Sequence, residues 1–344
     1  MNYLFFRTDR IGDFLITSPL IKAIKRNDTS SKIFVVASIK NTDFIKNHDL
    51  VDEVFLLKSK RIIDRIDLFL KLRKYKFNTI IVSDKKNRSI FFGLLLKAQN
   101  KIFNVSKNFQ KKILNILYKN VFLDNDNLKD KPVKDILLDN SKSLNYDLKD
   151  EDFHYLKTNE FKSEFPHNNL LNLDDLDFLL FHYDEKWEIN NYSKLFKKAS
   201  TFTNIEVDQE ILIKFLFDLS QKTSKKIIIT TGKINTNIIN KLKASSNKIN
   251  NSLYEINLNN TKGYMLLNES FFSISHLISK SSMFISCHGA FTHIASNYKI
   301  KILDIIEKNK TIHYNRITNH MKNYKYLYRD NFLKLSEKII YAVS

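Results

Sequence analysis

The chain opens on an apolar run, Tyr3 to Phe6, that breaks into a polar loop and continues as a segment with Leu15, Ile16, Leu20, Ile21 and Ile24 at helical spacing. Lys22, Lys25 and Arg26 fall opposite that apolar face. The loop, Arg7-Thr8-Asp9-Arg10-Ile11-Gly12-Asp13, holds one of only five glycines in 344 residues. A strand, a glycine turn and a helix are the opening of a doubly wound α/β unit, whose ligands sit in the crevice at the carboxyl ends of the strands. Arg7, Arg10 and Asp13 are therefore expected at a site, with Gly12 letting the backbone approach closely. A plainer reading is equally open at this point. Asp13 would complement a helix dipole, and the two arginines would be solvated surface charges.

The alternation continues along the chain. Strands are expected at residues 33–37, 53–57, 79–82 and 101–105, separated by helical segments at 41–48, 62–75 and 90–98. After a further helix at 132–145, a stretch rich in Asn, Asp and Lys that contains Pro166 reads as a crossover. The rhythm then restarts, with strands at 178–183, 226–231, 254–257, 283–286 and 300–306 and a terminal helix at 331–342. Strands alternating with helices over short connections predict parallel sheets covered on both faces. Two Rossmann-like domains are expected, residues 1–176 and 177–344, facing each other across a cleft.

The balance is strongly basic, +19, which suits an anionic membrane surface, nucleic acid or a phosphorylated substrate. The lysines are scattered and never form a block with interleaved aromatics, so no nucleic-acid partner is expected. Abundant Lys, Asn, Ile and Phe with few Gly and Pro also match the codon bias of an AT-rich genome, which accounts for part of the charge without function. A single cysteine, Cys287, excludes an internal disulfide and fits a reducing compartment. With neither a signal peptide nor a span in view, a cytoplasmic protein is expected.

Three loops of the second half bear on function. Lys186-Trp187 follows a strand end: the lysine offers a point charge for phosphate, and the indole either stacks on a base or fills the core. Gly232-Lys233 follows the next strand and signals a left-handed or close-approach glycine. The most informative loop is Ser286-Cys287-His288-Gly289-Ala290-Phe291-Thr292-His293-Ile294-Ala295-Ser296. Gly289 stands between a strand and a helix whose first N–H groups are unpaired, a ready site for a diphosphate. His288 and His293 are five residues apart, which does not place them on one helix face, so no metal is expected. Cys287 reads as a small buried residue rather than a nucleophile.

Together these loops resemble glycosyltransferase family 9, the ADP-heptose:lipopolysaccharide heptosyltransferases and their relatives. The likeness is carried by Arg7-Thr8-Asp9-Arg10-Ile11-Gly12-Asp13 with Thr17-Ser18-Pro19-Leu20, and by Val51-Asp52-Glu53-Val54, Lys186-Trp187 and the Gly289…His293-Ile294-Ala295-Ser296 turn. It implies the GT-B fold. It also implies that Asp13 is the catalytic base, that Lys186 binds phosphate, and that Gly289, Ala290, Phe291, Thr292 and His293 form the donor-binding turn. The chain departs from the family's Asp-Thr/Ser-Gly-Pro-x-His run. The acidic residue is missing, and the glycine-to-histidine gap is longer by one.

Inverting transfer needs a base for the acceptor hydroxyl and stabilisation of the departing diphosphate. Asp13 suits the first task, with Gly12 leaving room for the acceptor. Lys186 and the helix opening at Gly289 suit the second without a metal or other cofactor. Arg7 and Arg10 would orient anionic groups of a glycan or glycolipid acceptor. The expected partners are thus a nucleotide-diphosphate sugar and such an acceptor, with peripheral contact at the inner face of the inner membrane through Lys85, Lys86, Arg88, Lys107, Lys111 and Lys112. Two other readings stay open: a sugar-nucleotide epimerase of the same fold, and a non-enzymatic basic binding protein.

Overall fold

The computed structural model describes residues 1–59, 61–105, 108–117, 121–123, 131–154, 171–188, 203, 205, 207–234, 236–259 and 261–343. Most of the expected crossover, including Pro166, lies outside these residues, as do Lys107 and the side chain of Lys111. The chain divides into two compact units, Met1–Tyr155 with Asn315–His320, and Leu156–Tyr314 with Met321–Ser344.

The first unit is built on β1 (Asn2–Phe6), β2 (Lys32–Ser38), β3 (Glu53–Leu57), β4 (Phe77–Val82), β5 (Ala98–Phe103) and β6 (Val121–Leu123). Their order in the sheet is β3-β2-β1-β4-β5-β6, and every pairing is parallel. The strand order reverses between β1 and β4, and in such sheets the crevice beyond that point is where ligands bind. Leu4 and Phe6 face a core shared with Phe34, Val36, Leu68 and Phe92, while Tyr3 and Phe5, also buried, alternate to the opposite face. Burial on both faces is why these strands read as continuous apolar runs rather than alternating ones.

The helices are α1 (Ile11–Asn27), α2 (Thr42–Lys46), α3 (Ile62–Leu72), α4 (Asn87–Leu95), α5 (Asn108–Leu117) and α6 (Val133–Ser143). Helix α1 carries Pro19 in its interior, where the missing N–H leaves the Leu15 carbonyl without its helical donor. The Ser18 hydroxyl donates to that carbonyl at 2.6 Å, so the buried acceptor is satisfied. The polar side of α1 is occupied too: Arg26 pairs at 2.9 Å with the fully buried Asp152, and Lys22 donates to the Glu151 carbonyl at 2.9 Å.

The second unit has the order β14-β13-β12-β7-β8-β11-β10-β9. These are β7 (Phe178–Tyr183), β8 (Lys226–Thr231), β9 (Asn247–Lys248), β10 (Leu253–Leu258), β11 (Thr261–Leu266), β12 (Met283–Cys287), β13 (Lys301–Ile306) and β14 (Tyr324–Tyr328). The pairings from β14 through β11 are parallel, whereas β10 runs antiparallel to both β11 and β9. The expectation of a purely parallel sheet therefore needs correction at this edge. A hairpin enters through Asn259 at φ 54°, and Gly263 lets β11 close on β8, since a Cβ there would meet Leu258 at 3.0 Å and the Ile227 carbonyl at 3.3 Å. The helices are α7 (Gln209–Thr223), α8 (Asn237–Ala244), α9 (Phe271–Lys280), α10 (Ala290–Asn297), α11 (Thr311–Thr318) and α12 (Phe332–Val343). The order reverses at β7 and β12, which places a second ligand crevice beyond Tyr183 and Cys287.

Two histidines in these cores are expected to govern acid stability. Burial holds His48 and His182 down at about 4, below the usual imidazole value. Between about pH 6.5 and pH 4 the unfolded chain binds protons that the folded chain refuses. Their contribution is complete above that window and is lost as pH falls through it, by about 1.4 kcal/mol per pH unit for each histidine. The urea midpoint should drop between pH 7 and pH 5, and His182→Asn should flatten the slope. An unchanged midpoint would show that these rings are protonated in the fold.

Candidate active site

In the first unit the β1–α1 loop is held from three sides. The Arg7 guanidinium is buried; Nε donates to the Asp13 carbonyl at 2.7 Å and Nη1 to the Ser83 carbonyl at 2.7 Å, while Asp9 pairs with it at 3.3 Å. Its own carbonyl accepts from Asn41 Nδ2 at 2.8 Å. Arg7 thus ties the ends of β1 and β4 to the head of α1, and it brings Asp13 to the switch point. Helix α1 begins at Ile11, so Gly12 lies in its first helical turn rather than in the loop, and no glycine has positive φ. The Asp13 Oδ2 accepts from the Arg10 backbone N–H at 3.1 Å and closes that first turn, which explains why the helix starts so early. Asp13 is half-buried and Arg10 exposed.

A second set of charges surrounds this loop; the sequence reading assigned Lys86 and Arg88 to a membrane surface and passed over Asp84. Asp84 is buried and accepts from the Thr8 hydroxyl at 2.5 Å and the Ser89 hydroxyl at 2.7 Å. Lys86 Nζ donates to the Thr8 carbonyl at 2.8 Å, and Arg88 Nη2 to the Thr8 hydroxyl at 3.1 Å. Burial is the largest influence on Asp9 and lifts its pKa above the usual carboxylate range; Arg7 opposes the rise, and Asp13 and Asp84 add to it. The signal was present in the run 83–88, a polar loop at a strand end, but a loop's charges look alike until the strand order is known.

In the second unit Lys186 lies on a 3-10 turn, Glu185–Trp187, just past β7. Its Nζ pairs with Asp184 at 2.7 Å and donates to the carbonyls of Cys287 at 3.1 Å and His288 at 2.9 Å. Those three partners match the three donors of an ammonium group. Burial works against the charge on Lys186, yet Asp184 and its neighbours outweigh it and leave the pKa raised. Gly289 owes its identity to this lysine: a Cβ there would stand 2.7 Å from Lys186 Nζ. Its backbone is extended, so the need is for space and not for a left-handed conformation. Gly232 is likewise a close-approach glycine, with Glu185 Oε2 2.7 Å from an added Cβ.

The turn after β12 is fastened further. Gly289 N–H donates to the Thr292 hydroxyl at 3.2 Å, and Thr292 donates to Asp304 at 3.3 Å. Among the described residues the N–H groups of Ala290 and Phe291, the first two of α10, have no acceptor. Asp304 is fully buried and also accepts from His288 Nδ1 at 2.6 Å and from Tyr324 at 2.9 Å, which fixes the proton of His288 on Nδ1. His293 is buried with its ring edge-on to His288 at 5.4 Å. Phe291 stacks on Phe271 at 4.6 Å. Arg329 pairs with Glu307 at 2.9 Å and donates to the Lys186 carbonyl and to Cys287 Sγ. The Asp304 and Arg329 clusters were missed in sequence, although an acid inside the apolar run 301–306 was the available clue.

Two sequence readings resolve toward the core. Trp187 is fully buried, packs on Phe181 and Tyr183, and donates Nε1 to the His182 carbonyl at 3.0 Å, so it stacks on no base. Cys287 is buried, and burial pushes its thiol up to about 12, out of reach of nucleophilic chemistry. Among the described residues no three His, Cys, Asp or Glu side chains gather as a metal set.

No family model matches the chain. Lipopolysaccharide heptosyltransferase 1 of Campylobacter coli is 26% identical over 133 residues, which are 36% of this chain and 39% of that protein. The match thus spans well under half of the relative's length. The E. coli heptosyltransferase WaaC, solved with ADP-2-deoxy-2-fluoro heptose, superposes with a TM-score of 0.62 at 13% identity, covering 90% of this chain and 89% of that one. A glycosyltransferase family 9 structure from Veillonella parvula gives a TM-score of 0.66 at 11% identity, over 98% of this chain and 88% of the other. At these identities the likeness is one of fold. The fold is GT-B, as the family 9 resemblance implied.

Proposed function

We propose that the protein is an inverting glycosyltransferase that moves a heptose or related sugar from a nucleotide-diphosphate donor to a lipopolysaccharide or other surface-glycan acceptor. The observation that carries the reading is the meeting of Lys186 with the Gly289 turn. Two loops distant in sequence join so that a lysine anchors the Cys287 and His288 carbonyls. The N–H groups of Ala290 and Phe291 stay open at a helix N-terminus, where a diphosphate is favoured. Lys186 and those N–H groups would stabilise the charge of the departing nucleoside diphosphate, which assigns that task to the chain's own groups.

Asp13 takes the proton of the acceptor hydroxyl as the new glycosidic bond forms. Arg10, exposed beside it, contacts the anionic acceptor, and Arg7 acts by positioning Asp13. No helix of the described residues is long and apolar enough to cross a membrane. The reading assigns the work to the cytoplasm, with peripheral membrane contact. The C. coli relative and the sugar nucleotide bound by WaaC make ADP-heptose the first donor to try.

A thermal-shift series with ADP, UDP, GDP and ADP-heptose tests the donor site. A ligand at a hundred times its Kd should add about 2.7 kcal/mol of apparent stability. If no nucleoside diphosphate raises the melting temperature, the donor assignment is wrong.

A further inference from the structure

Among the described residues, three acids are buried around the Gly289 turn, and two of them meet a permanent cation. Asp184 pairs with Lys186 at 2.7 Å, and Glu307 with Arg329 at 2.9 Å. Asp304 is fully buried and meets neither lysine nor arginine among the described residues. Its partners are the Thr292 and Tyr324 hydroxyls and His288 Nδ1, the last at 2.6 Å. A buried carboxylate without a counter-charge is unfavourable, and of these partners only His288 can take a proton and neutralise it. A charged imidazole carries two N–H donors. Nδ1 gives one to Asp304; Nε2 has no partner among the described residues, and the side chain keeps 12% of its surface open.

The lysine at this turn is not available to hydrogen-bond a phosphate. All three N–H bonds of Lys186 are taken, by Asp184 and by the Cys287 and His288 carbonyls. Lys186 therefore acts through its field and through the turn it fastens. His288 directly precedes Gly289 and the open N–H groups of Ala290 and Phe291. An imidazolium with one N–H fixed on a buried acid and the other unused calls for an anion. The departure from the family 9 run has the same sense. Cys287 stands where that run has Asp, and the acid is found on the neighbouring strand, as Asp304 opposite Ser286. His288 stands where the run has a hydroxyl residue.

We infer that His288, held as an imidazolium by Asp304, is a catalytic residue that gives its Nε2–H to the donor diphosphate. As the bond from the anomeric carbon to the phosphate oxygen breaks, its electron pair passes to that oxygen and the hydrogen bond strengthens. The proton stays on Nε2 while the acceptor's proton goes to Asp13, so the step needs no further reactant. Asp304 is a positioning residue that works through the ring. The inference deepens the donor side of the proposed reading and rests on it for the diphosphate itself.

Donor affinity then depends on pH. Besides Asp304, the His288 ring faces His293 of α10 at 5.4 Å and Tyr314 of α11 at 4.8 Å. Tyr324 of β14 reaches it through Asp304, and Lys186 through the His288 carbonyl. Burial pushes Tyr314 up to about 12, so it stays neutral, and His293 is the other imidazole to exclude. ADP-heptose is the probe, or the sugar nucleotide whose base the thermal-shift series selects, because its diphosphate does not titrate near neutrality as the terminal phosphate of ADP does. Calorimetry between about pH 6 and pH 8.5 should show the wild-type Kd rising about tenfold as the imidazolium is lost. His288→Asn keeps an N–H for Asp304 and lacks Nε2. It should bind about tenfold more weakly at pH 6 and show no slope. Asp304→Asn should move the fall in affinity to lower pH. In the wild type, the nitrogen resonance of His288 Nε2 should shift when the probe is added, a readout that needs no variant to fold. Wild-type affinity in His288→Asn, a slope that survives in it, or an unmoved resonance overturns the inference while the donor site stands. A wild type that binds no nucleoside diphosphate overturns the donor site and the inference together.

Discussion

Asp13→Asn is expected to lower sugar transfer by about 10²–10⁴ in kcat while leaving the affinity for a nucleoside diphosphate unchanged. The substitution keeps an acceptor oxygen for the Arg10 N–H, so the first turn of α1 should remain closed. The backbone carbonyl of residue 13 still receives Arg7 Nε, so the loop keeps its anchor as well. What is lost is the capacity to take a proton. Asp9 is the control. Its carboxyl is lifted above the usual range chiefly by burial, and one of its oxygens is buried without a partner among the described residues. Asp9→Asn should therefore change the pH profile of transfer more than its maximum. If Asp9→Asn abolished transfer and Asp13→Asn left it intact, the base would be Asp9.

Gly289→Ala is expected to weaken nucleoside diphosphate binding by about 10- to 100-fold, the loss that accompanies one displaced charge-assisted contact. An added Cβ would lie 2.7 Å from Lys186 Nζ, the mobile end of a long side chain, so the lysine gives way before the backbone does. The protein should fold, and the displaced ammonium should release the Cys287 and His288 carbonyls that it now fastens. Lys186→Ala is a harsher test, because it strands the buried Asp184 and should cost about 3–5 kcal/mol of stability. Calorimetry with ADP on both variants, beside their urea midpoints, separates binding from folding. Wild-type affinity in Gly289→Ala would remove the Lys186–Gly289 contact from the donor site.

Much of the fold was legible in the chain because parallel strands buried on both faces write themselves as apolar runs. The strands at β1, β7 and β8 lie where those runs stand. The antiparallel hairpin was not legible: Lys262 and Gly263 interrupt the apolar pattern of β11, and its pairing is set by a positive-φ turn at Asn259. That Asn315–His320 groups with the first unit also escapes any local reading, since it depends on contacts such as Arg316 to the Lys131 carbonyl. In the site, residues next to glycine turns announced themselves. Side chains whose role comes from distant partners did not. Asp304 gains its place by meeting His288, Thr292 and Tyr324, and Trp187 is taken into the core by Phe181 and Tyr183. Arg7 looked like a ligand contact and proves to be a buried tie between two strand ends.

The most direct test of the account is the stereochemistry of the product. Purified protein, in the presence of a chelator, should be given ADP-heptose and a deacylated lipopolysaccharide acceptor, and the new linkage read by nuclear magnetic resonance. The account predicts a single glycosidic bond whose anomeric configuration is opposite to that of the donor, formed by the wild type and not by Asp13→Asn. A product with retained configuration, or release of free sugar or an epimerised nucleotide without any glycosidic bond, would contradict it.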